Sequence, residues 1–338
     1  MSIAKEISIR QLADMVKGRI VGDVDTAVKI TGTCAIDSYV QAKVSFINNE
    51  KYGAMLAGLH NAIVLIPGGL AHLCGEYPQN TYVVVEDVLT SMMDLQDAFY
   101  SNLFVMRQEG VSPTATIGTG TTIGHNVYVG DHVYVGKDVS IGDGAKIMHN
   151  CSIFDGVIIG SNTYVCPNVC IYGNCRVGDD CLIHPGACIG VDGFRFEQDV
   201  GRERVRKWIH MGGVDIGRRV EIGPNATIQR STYEHSSTIV SDDVKIDAHV
   251  HVGHNDRIGA RTVIAAQTCI CGSVAIREDC WIGAGVTIAQ GTVIGSRAKV
   301  LINAVVVNDV PDGEMVSGFY AMPHKRWKQV CNRLRDEL

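Results

Sequence analysis

The sequence is poor in aromatic residues, which make up 6% of its 338 positions, and it carries only 8 prolines. It has no excess of positive charge either. The formal net charge is −6, which gives no support to nucleic-acid binding as a main role. No stretch approaches the ~20 apolar residues of a membrane-spanning helix, and Met1 to Arg10 lacks the apolar core of a secretory signal. A soluble, cytoplasmic protein with no transmembrane segment is expected. The 12 cysteines contain no C-x-x-C pair, and Cys269-Ile270-Cys271 has no partner pair to complete a zinc site. Reduced thiols in an intracellular core are the expectation.

What the sequence has in quantity is glycine, 37 residues, and an aliphatic residue at every sixth position. The series starts at Val111, Ile117, Ile123 and Val129, runs to Ile189, resumes in a shifted phase at Ile216 and ends at Val306. Glu234 is its one miss. A period of six fits neither the 3.6 residues of a helical turn nor the alternation of a strand. It fits a short strand and a sharp corner, repeated, with three such units closing one coil. The large aliphatic and the small residue four places later both point inward. Cys151, Cys175, Cys181 and Cys280 occupy that small slot. The predicted fold is mainly β: a left-handed parallel β-helix over 111–310, against the usual right-handed crossover rule, with coils stacked at the ~4.8 Å strand spacing.

Residues 1–105 have no such repeat and read as an α/β domain. Ser8 is a plausible cap for a helix to Val16, strands are expected near 19–22, 43–47, 62–66 and 81–85, and a helix over 88–104. Residues 311–338 include a basic amphipathic helix beginning at Pro323, with Lys325, Arg326, Lys328, Arg333 and Arg335. The gap from Ile189 to Ile216 spans 27 residues and begins Gly190-Val-Asp-Gly-Phe-Arg195. A loop leaves the column there, and loops on a rigid scaffold are where function concentrates. Flat column sides favour side-by-side association, so a homotrimer with clefts between columns is expected.

The richest ionisable cluster is His249-Val-His-Val-Gly-His-Asn255. Three imidazoles can hold zinc, but a corner separates His254 from the other two. His249 and His251 are expected to be solvated, and His254 to point outward. His149 and His184 have a spacing suggestive of a metal hydratase, though no third histidine follows closely.

Several segments together resemble the UDP-3-O-acylglucosamine N-acyltransferases of lipid A synthesis. They are Val44-Ser-Phe-Ile-Asn-Asn-Glu-Lys-Tyr52, Gly190-Val-Asp-Gly-Phe194, Val220-Glu-Ile-Gly223, Thr227-Ile-Gln-Arg230, Lys245-Ile-Asp247, Gly253-His-Asn-Asp-Arg-Ile-Gly259 and Ser317-Gly318 with Pro323 and Trp327. The resemblance implies transfer of a 3-hydroxyacyl group from acyl carrier protein to the 2-amine of a UDP-linked glucosamine. It implies no cofactor beyond the 4'-phosphopantetheine arm that the carrier delivers. His254 corresponds to the family's general base and Gly272 to its oxyanion glycine. Phe46 and Tyr52 correspond to the rings that grip uracil, Asn49 to the residue reading the base edge, and Asp192, Phe194 and Gln290 to further substrate contacts. The basic terminal helix suits an acidic carrier protein.

The sequence departs from the family at several points. The usual second histidine, 37 residues after the base, is Gly291 here. Thr-Ile-Asp-Arg-Gly reads Thr227-Ile-Gln-Arg-Ser231, Lys-Ile-Pro-Gln reads Lys207-Trp-Ile-His210, and the closing GxPA turn reads Gly318-Phe-Tyr-Ala321. These changes leave acyl length and acceptor sugar open. A coenzyme A-dependent nucleotide-sugar N-acetyltransferase and a non-catalytic trimeric scaffold remain as alternatives.

Overall fold

The computed structural model describes residues 6–22, 28–100, 109–318 and 322–336. The chain forms two compact units divided between residues 107 and 108.

In the first unit, Ser8 caps α1 (Ile9–Met15). Its Oγ accepts from the Gln11 amide while Gln11 Oε1 accepts from the Ser8 N–H. Strands β1 (Arg19–Val21), β2 (Val44–Phe46), β3 (Ile63–Pro67) and β4 (Thr81–Val85) form one sheet in the order β1-β4-β3-β2. Alternate residues of β3 serve its two faces. Ile63 and Leu65 pack with Leu12 and Leu95, while Val64 and Ile66 pack with Leu56 and Tyr82. The short α2 (Leu73–Glu76) lies on the second side, and α3 (Val88–Tyr100) packs on the first. The rest of the expected helix, 101–104, lies outside the described residues.

The second unit is the repeat column. Its two- to four-residue strands form three parallel sheets of nine, eleven and ten strands. Ile141 pairs with Ile123 on one side and Ile159 on the other, eighteen residues away each time, so one coil is three hexads. The inward aliphatics are sealed from water, Ile147, Ile153 and Ile159 among them. Three residues after most of the aliphatics the backbone turns left-handed, as at Asn126 (φ 57°), Asn150 (φ 61°) and Asn225 (φ 56°). Asn, Asp and Gly tolerate that conformation best, which explains their recurrence at the corners. The glycines just after the aliphatics answer a different need. A Cβ on Gly118 would come within 2.3 Å of the Gly136 carbonyl oxygen on the next coil.

Three expectations change. The column continues past 310, because Pro311 to Gly313 make one more corner, after which Met315–Val316 pair with Lys299–Val300. Glu234 is not a failed strand position. Ile228 and Val240 lie in consecutive strands, and Glu234 sits in an extra loop between them. His251 is partly buried on its strand rather than solvated, and burial pulls its imidazole below the usual value.

Cys151, Cys175, Cys181 and Cys280 are buried and free. Burial pushes the Cys151 thiol up to about 11 and the Cys175 thiol to about 12, so both stay protonated and inert. The terminal helix α4 covers His324–Asp336. Residues 319–321 of the closing turn lie outside the described residues. Among the described residues, no helix is long and apolar enough to cross a membrane.

Candidate active site

Both interruptions of the repeat leave the column at the same corner. Strands Cys188–Val191, Thr227–Gln229 and His251–Val252 are consecutive neighbours in the ten-stranded sheet. The long loop follows the first, the short loop follows the second, and Gly253-His254-Asn255 turns the corner after the third. The column therefore sets two irregular segments directly beside His254.

Asn255 fastens the short loop. Its backbone is left-handed (φ 66°), and its N–H donates to the buried Thr238 hydroxyl at 2.9 Å. Its Oδ1 accepts from the Thr232 N–H at 2.8 Å, the Thr232 hydroxyl at 3.1 Å and the Ser231 hydroxyl at 3.2 Å. Thr232 in turn stands beside His254: its Oγ1 is 3.3 Å from His254 Nδ1, and Asn255 Oδ1 is 3.4 Å from the same nitrogen. With the hydroxyl proton given to Asn255, Thr232 Oγ1 accepts Nδ1–H. That tautomer leaves the His254 lone pair on Nε2.

Gly272 lies one coil beyond His254 and against its ring. A Cβ there would come within 2.6 Å of both Cε1 and Nε2. At the same position on some other coils the amide is capped by an aspartate from the next coil: Lys137 N–H donates to Asp155, Ser161 to Asp179 and Arg218 to Asp242, each at 2.8 Å. The next-coil residue above Gly272 is Gln290, and among the described residues nothing accepts from the Gly272 N–H. An unbonded backbone donor on a rigid coil therefore lies next to the imidazole.

A second imidazole closes the inner side. His210 is 3% exposed, its ring centroid is 5.4 Å from that of His254, and the planes meet at 61°. Its Nδ1 is 3.1 Å from the Trp208 carbonyl oxygen and donates to it. Nε2 is buried and has no partner. Burial pulls its pKa below the usual value, and the charge of His254 acts in the same direction. Gly193 fills the space where the rings converge: a Cβ there would lie 2.6 Å from His210 Nε2 and 3.1 Å from His254 Cδ2.

Asp256 points into the column under this corner, fully buried. Its Oδ1 accepts from the Val274 N–H at 2.8 Å and Oδ2 has no partner. Desolvation pushes its pKa up to about 9, so the carboxyl is neutral at neutral pH.

Sequence comparisons show which proteins this chain is similar to. A UDP-3-O-acylglucosamine N-acyltransferase of Leptothrix cholodnii is 34% identical over 251 residues, covering 74% of this chain and 71% of that protein. One of Saccharophagus degradans is 38% identical over 250 residues, covering 74% and 70%. The chain belongs to the UDP-3-O-acylglucosamine N-acyltransferase family. A member of this family from Chlorobium luteolum is 44% identical over 238 residues, which span 70% of this chain and 65% of that relative's length. A family profile described as the GMPPB C-terminal domain matches residues 105–192, the start of the column. Among solved structures, Arabidopsis UDP-N-acetylglucosamine acyltransferase aligns with a TM-score of 0.54 and 25% identity, over 62% of this chain and 71% of that one.

Of the residues expected to carry function in this N-acyltransferase family member, His254 and Gly272 come together, and Gln290 is exposed one coil further along the same corner. Asp192, on the long loop, forms ion pairs of 2.6 Å with Lys207 and 3.7 Å with Arg230. Phe194 is 87% exposed and touches Phe196 at 4.9 Å between centroids. In the first unit, Phe46 packs on one side of the sheet and Tyr52 on the other. Asn49 caps the 3-10 helix Glu50–Gly58, its Oδ1 accepting from the Lys51 N–H at 3.1 Å. Among the described residues, no group of three or more His, Cys, Asp or Glu side chains is placed to hold a metal.

His210 and Thr232 were not singled out in the sequence. A usable signal was present, since both long spacings, Ile189 to Ile216 and Ile228 to Val240, follow aliphatics of the same sheet as Val252.

Proposed function

We propose that this chain transfers a 3-hydroxyacyl group from the phosphopantetheine thiol of acyl carrier protein to the 2-amine of UDP-3-O-acylglucosamine, with His254 as general base. The observation that carries this reading is the unbonded Gly272 N–H beside an imidazole whose Nδ1–H is taken by Thr232. The amine nitrogen attacks the thioester carbonyl as His254 Nε2 removes one of its protons. The oxyanion that forms is met by the Gly272 N–H, which needs no reorganisation on a rigid coil. The C–S bond then breaks, the proton passes to the leaving thiolate, and an amide and a free carrier thiol result.

The first unit takes the uridine end, with Phe46, Tyr52 and Asn49 as its contacts; packed on opposite sides of the sheet, the two rings act as separate contacts and do not grip one base between them. Asp192 and Phe194 contact substrate beside the base, and Gln290 lies on the line the acyl chain follows. The basic helix α4 receives the acidic carrier protein, and its phosphopantetheine is the only prosthetic group involved. Three copies associate side by side in the cytoplasm. Exposed Val305, Val307 and Ile302 on the column support that association.

The test is acyl transfer by purified protein, read by mass spectrometry over a panel of acyl carrier thioesters, coenzyme A thioesters and UDP-amino sugars. Amide product from a carrier thioester is expected. His254→Ala is expected to fold and lose activity by about 10²–10⁴-fold, the usual contribution of a general base. A panel with no product, or a fully active His254→Ala, overturns the proposal.

A further inference from the structure

The long loop brings to the site an imidazole that the reaction as written does not use. His210 is buried between the loop that carries it and the corner of His254, in a polar setting that leaves one nitrogen unanswered. Its Nδ1–H is committed to the Trp208 carbonyl at 3.1 Å, which fixes Nε2 as the nitrogen with the lone pair. No donor meets that lone pair. A buried acceptor without a donor is destabilising, so its retention in a packed site calls for an explanation.

We infer that His210 is a positioning residue for His254: its neutral ring wedges the base edge-on, and its free Nε2 stabilises the imidazolium that His254 becomes when it takes the amine proton. This inference rests on the acyl-transfer reading. Two features of the geometry carry it. The rings meet at 5.4 Å and 61°, so the edge of one is set against the other. Gly193 adjoins both His210 Nε2 and His254 Cδ2, with Gln229 Oε1 close by, so the lone pair and the C–H edge of the base border one gap. When His254 gains a proton, that edge becomes more positive, and an acceptor already fixed beside it needs no reorganisation.

The surroundings keep His210 in the required form. The charged groups acting on it are His254 and Lys207, which disfavour its protonation, and Asp192, which favours it. Lys207 holds Asp192 at 2.6 Å, which tempers the latter. Desolvation is the strongest influence and favours the neutral ring. His210 therefore stays neutral when the amine proton arrives on His254.

The experiment compares the wild-type full chain with His210→Phe, which keeps a wedge without a lone pair, and His210→Gln, which keeps an acceptor. The readouts are kcat and KM across pH, together with the titration of the His254 ring by long-range ¹H–¹⁵N spectra. His210→Phe is expected to lower kcat about tenfold with KM unchanged and to shift the His254 titration to lower pH. His210→Gln is expected to restore at least part of both. A His254 titration unmoved in His210→Phe, or a kcat equal to wild type, overturns the inference. The spectra need no substrate, so inactivity of the wild type toward every thioester would defeat the acyl-transfer reading while leaving the imidazole pairing separately decided.

Discussion

The ring of His254 lies so close to Gly272, one coil away, that a methyl group on that glycine would come within 2.6 Å of two ring atoms. Here a missing side chain on one coil is the space in which a side chain from the previous coil works. Gly272→Ala must push the imidazole outward, because the backbone of the column cannot yield on one coil without breaking its ladder to the next. A displacement of about 1 Å at a reacting group costs about 10²-fold in rate. The expected outcome is a fall of that order in kcat, with thermal stability nearly unchanged because the ring moves toward solvent. A variant with wild-type kcat would show that the contact has no bearing on the base.

Thr232 links His254 to Asn255, and it does so from a loop rather than from the column. Thr232→Val keeps the shape and removes the hydroxyl, so His254 Nδ1–H loses its nearer acceptor and keeps only the longer contact to Asn255 Oδ1 at 3.4 Å, which holds the ring's tautomer less firmly. The loss expected is about tenfold in kcat, or ~1.4 kcal/mol, with KM unaltered. Thr232→Ser should restore most of it. Equal rates for the Val and Ser variants would remove the hydroxyl from the mechanism.

The column was legible in the sequence because its physics is periodic. Every inward aliphatic, from Ile117 to Val306, repeats one steric rule, and each corner Asn or Asp answers one backbone conformation. The site was legible only in part. His254 and Gly272 lie on the repeat, so their position eighteen residues apart puts them on adjacent coils. His210 and Thr232 lie on insertions, where no period dictates direction, and their partners appear only once the two loops are seen to leave one corner. Glu234 read as a lapse in the repeat for the same reason. In the first unit, the spacing of Phe46 and Tyr52 says nothing about which face of the sheet each joins.

Nucleotide binding is tested on that unit's own residues within the full chain. Stacking of a base on an aromatic ring is worth about 1–3 kcal/mol per base by alanine substitution. Phe46→Ala and Tyr52→Ala are each expected to weaken UDP by about 5- to 100-fold in calorimetry. Phe46→Ala should also lower stability, since Phe46 packs against the cluster containing Leu12 and Leu95. Wild-type protein without measurable UDP binding would remove the nucleotide role from this unit.

Asp256 gives the sharpest pH dependence. Other coils fill the same inward slot with Thr163, Thr238, Thr262 or Thr268, all buried. The Thr163 hydroxyl accepts from the Cys181 N–H at 3.1 Å, as Asp256 Oδ1 does from Val274. The carboxyl is pushed from 3.8 up to about 9 by desolvation. Between those two values the folded protein holds a proton that the unfolded chain has released. Stability must then fall as pH rises through that window, by about 1.4 kcal/mol per pH unit for one proton, and the dependence must vanish once pH passes the folded value. Asp256→Thr removes the titrating group while keeping a hydroxyl for the Val274 amide. Its advantage over wild type should therefore be small near pH 5 and grow steadily to pH 8, as measured by denaturant unfolding at fixed protein concentration. Parallel stability curves for the two proteins would mean that Asp256 is ionised inside the column, and its proton would have to be replaced by a partner absent from its present surroundings.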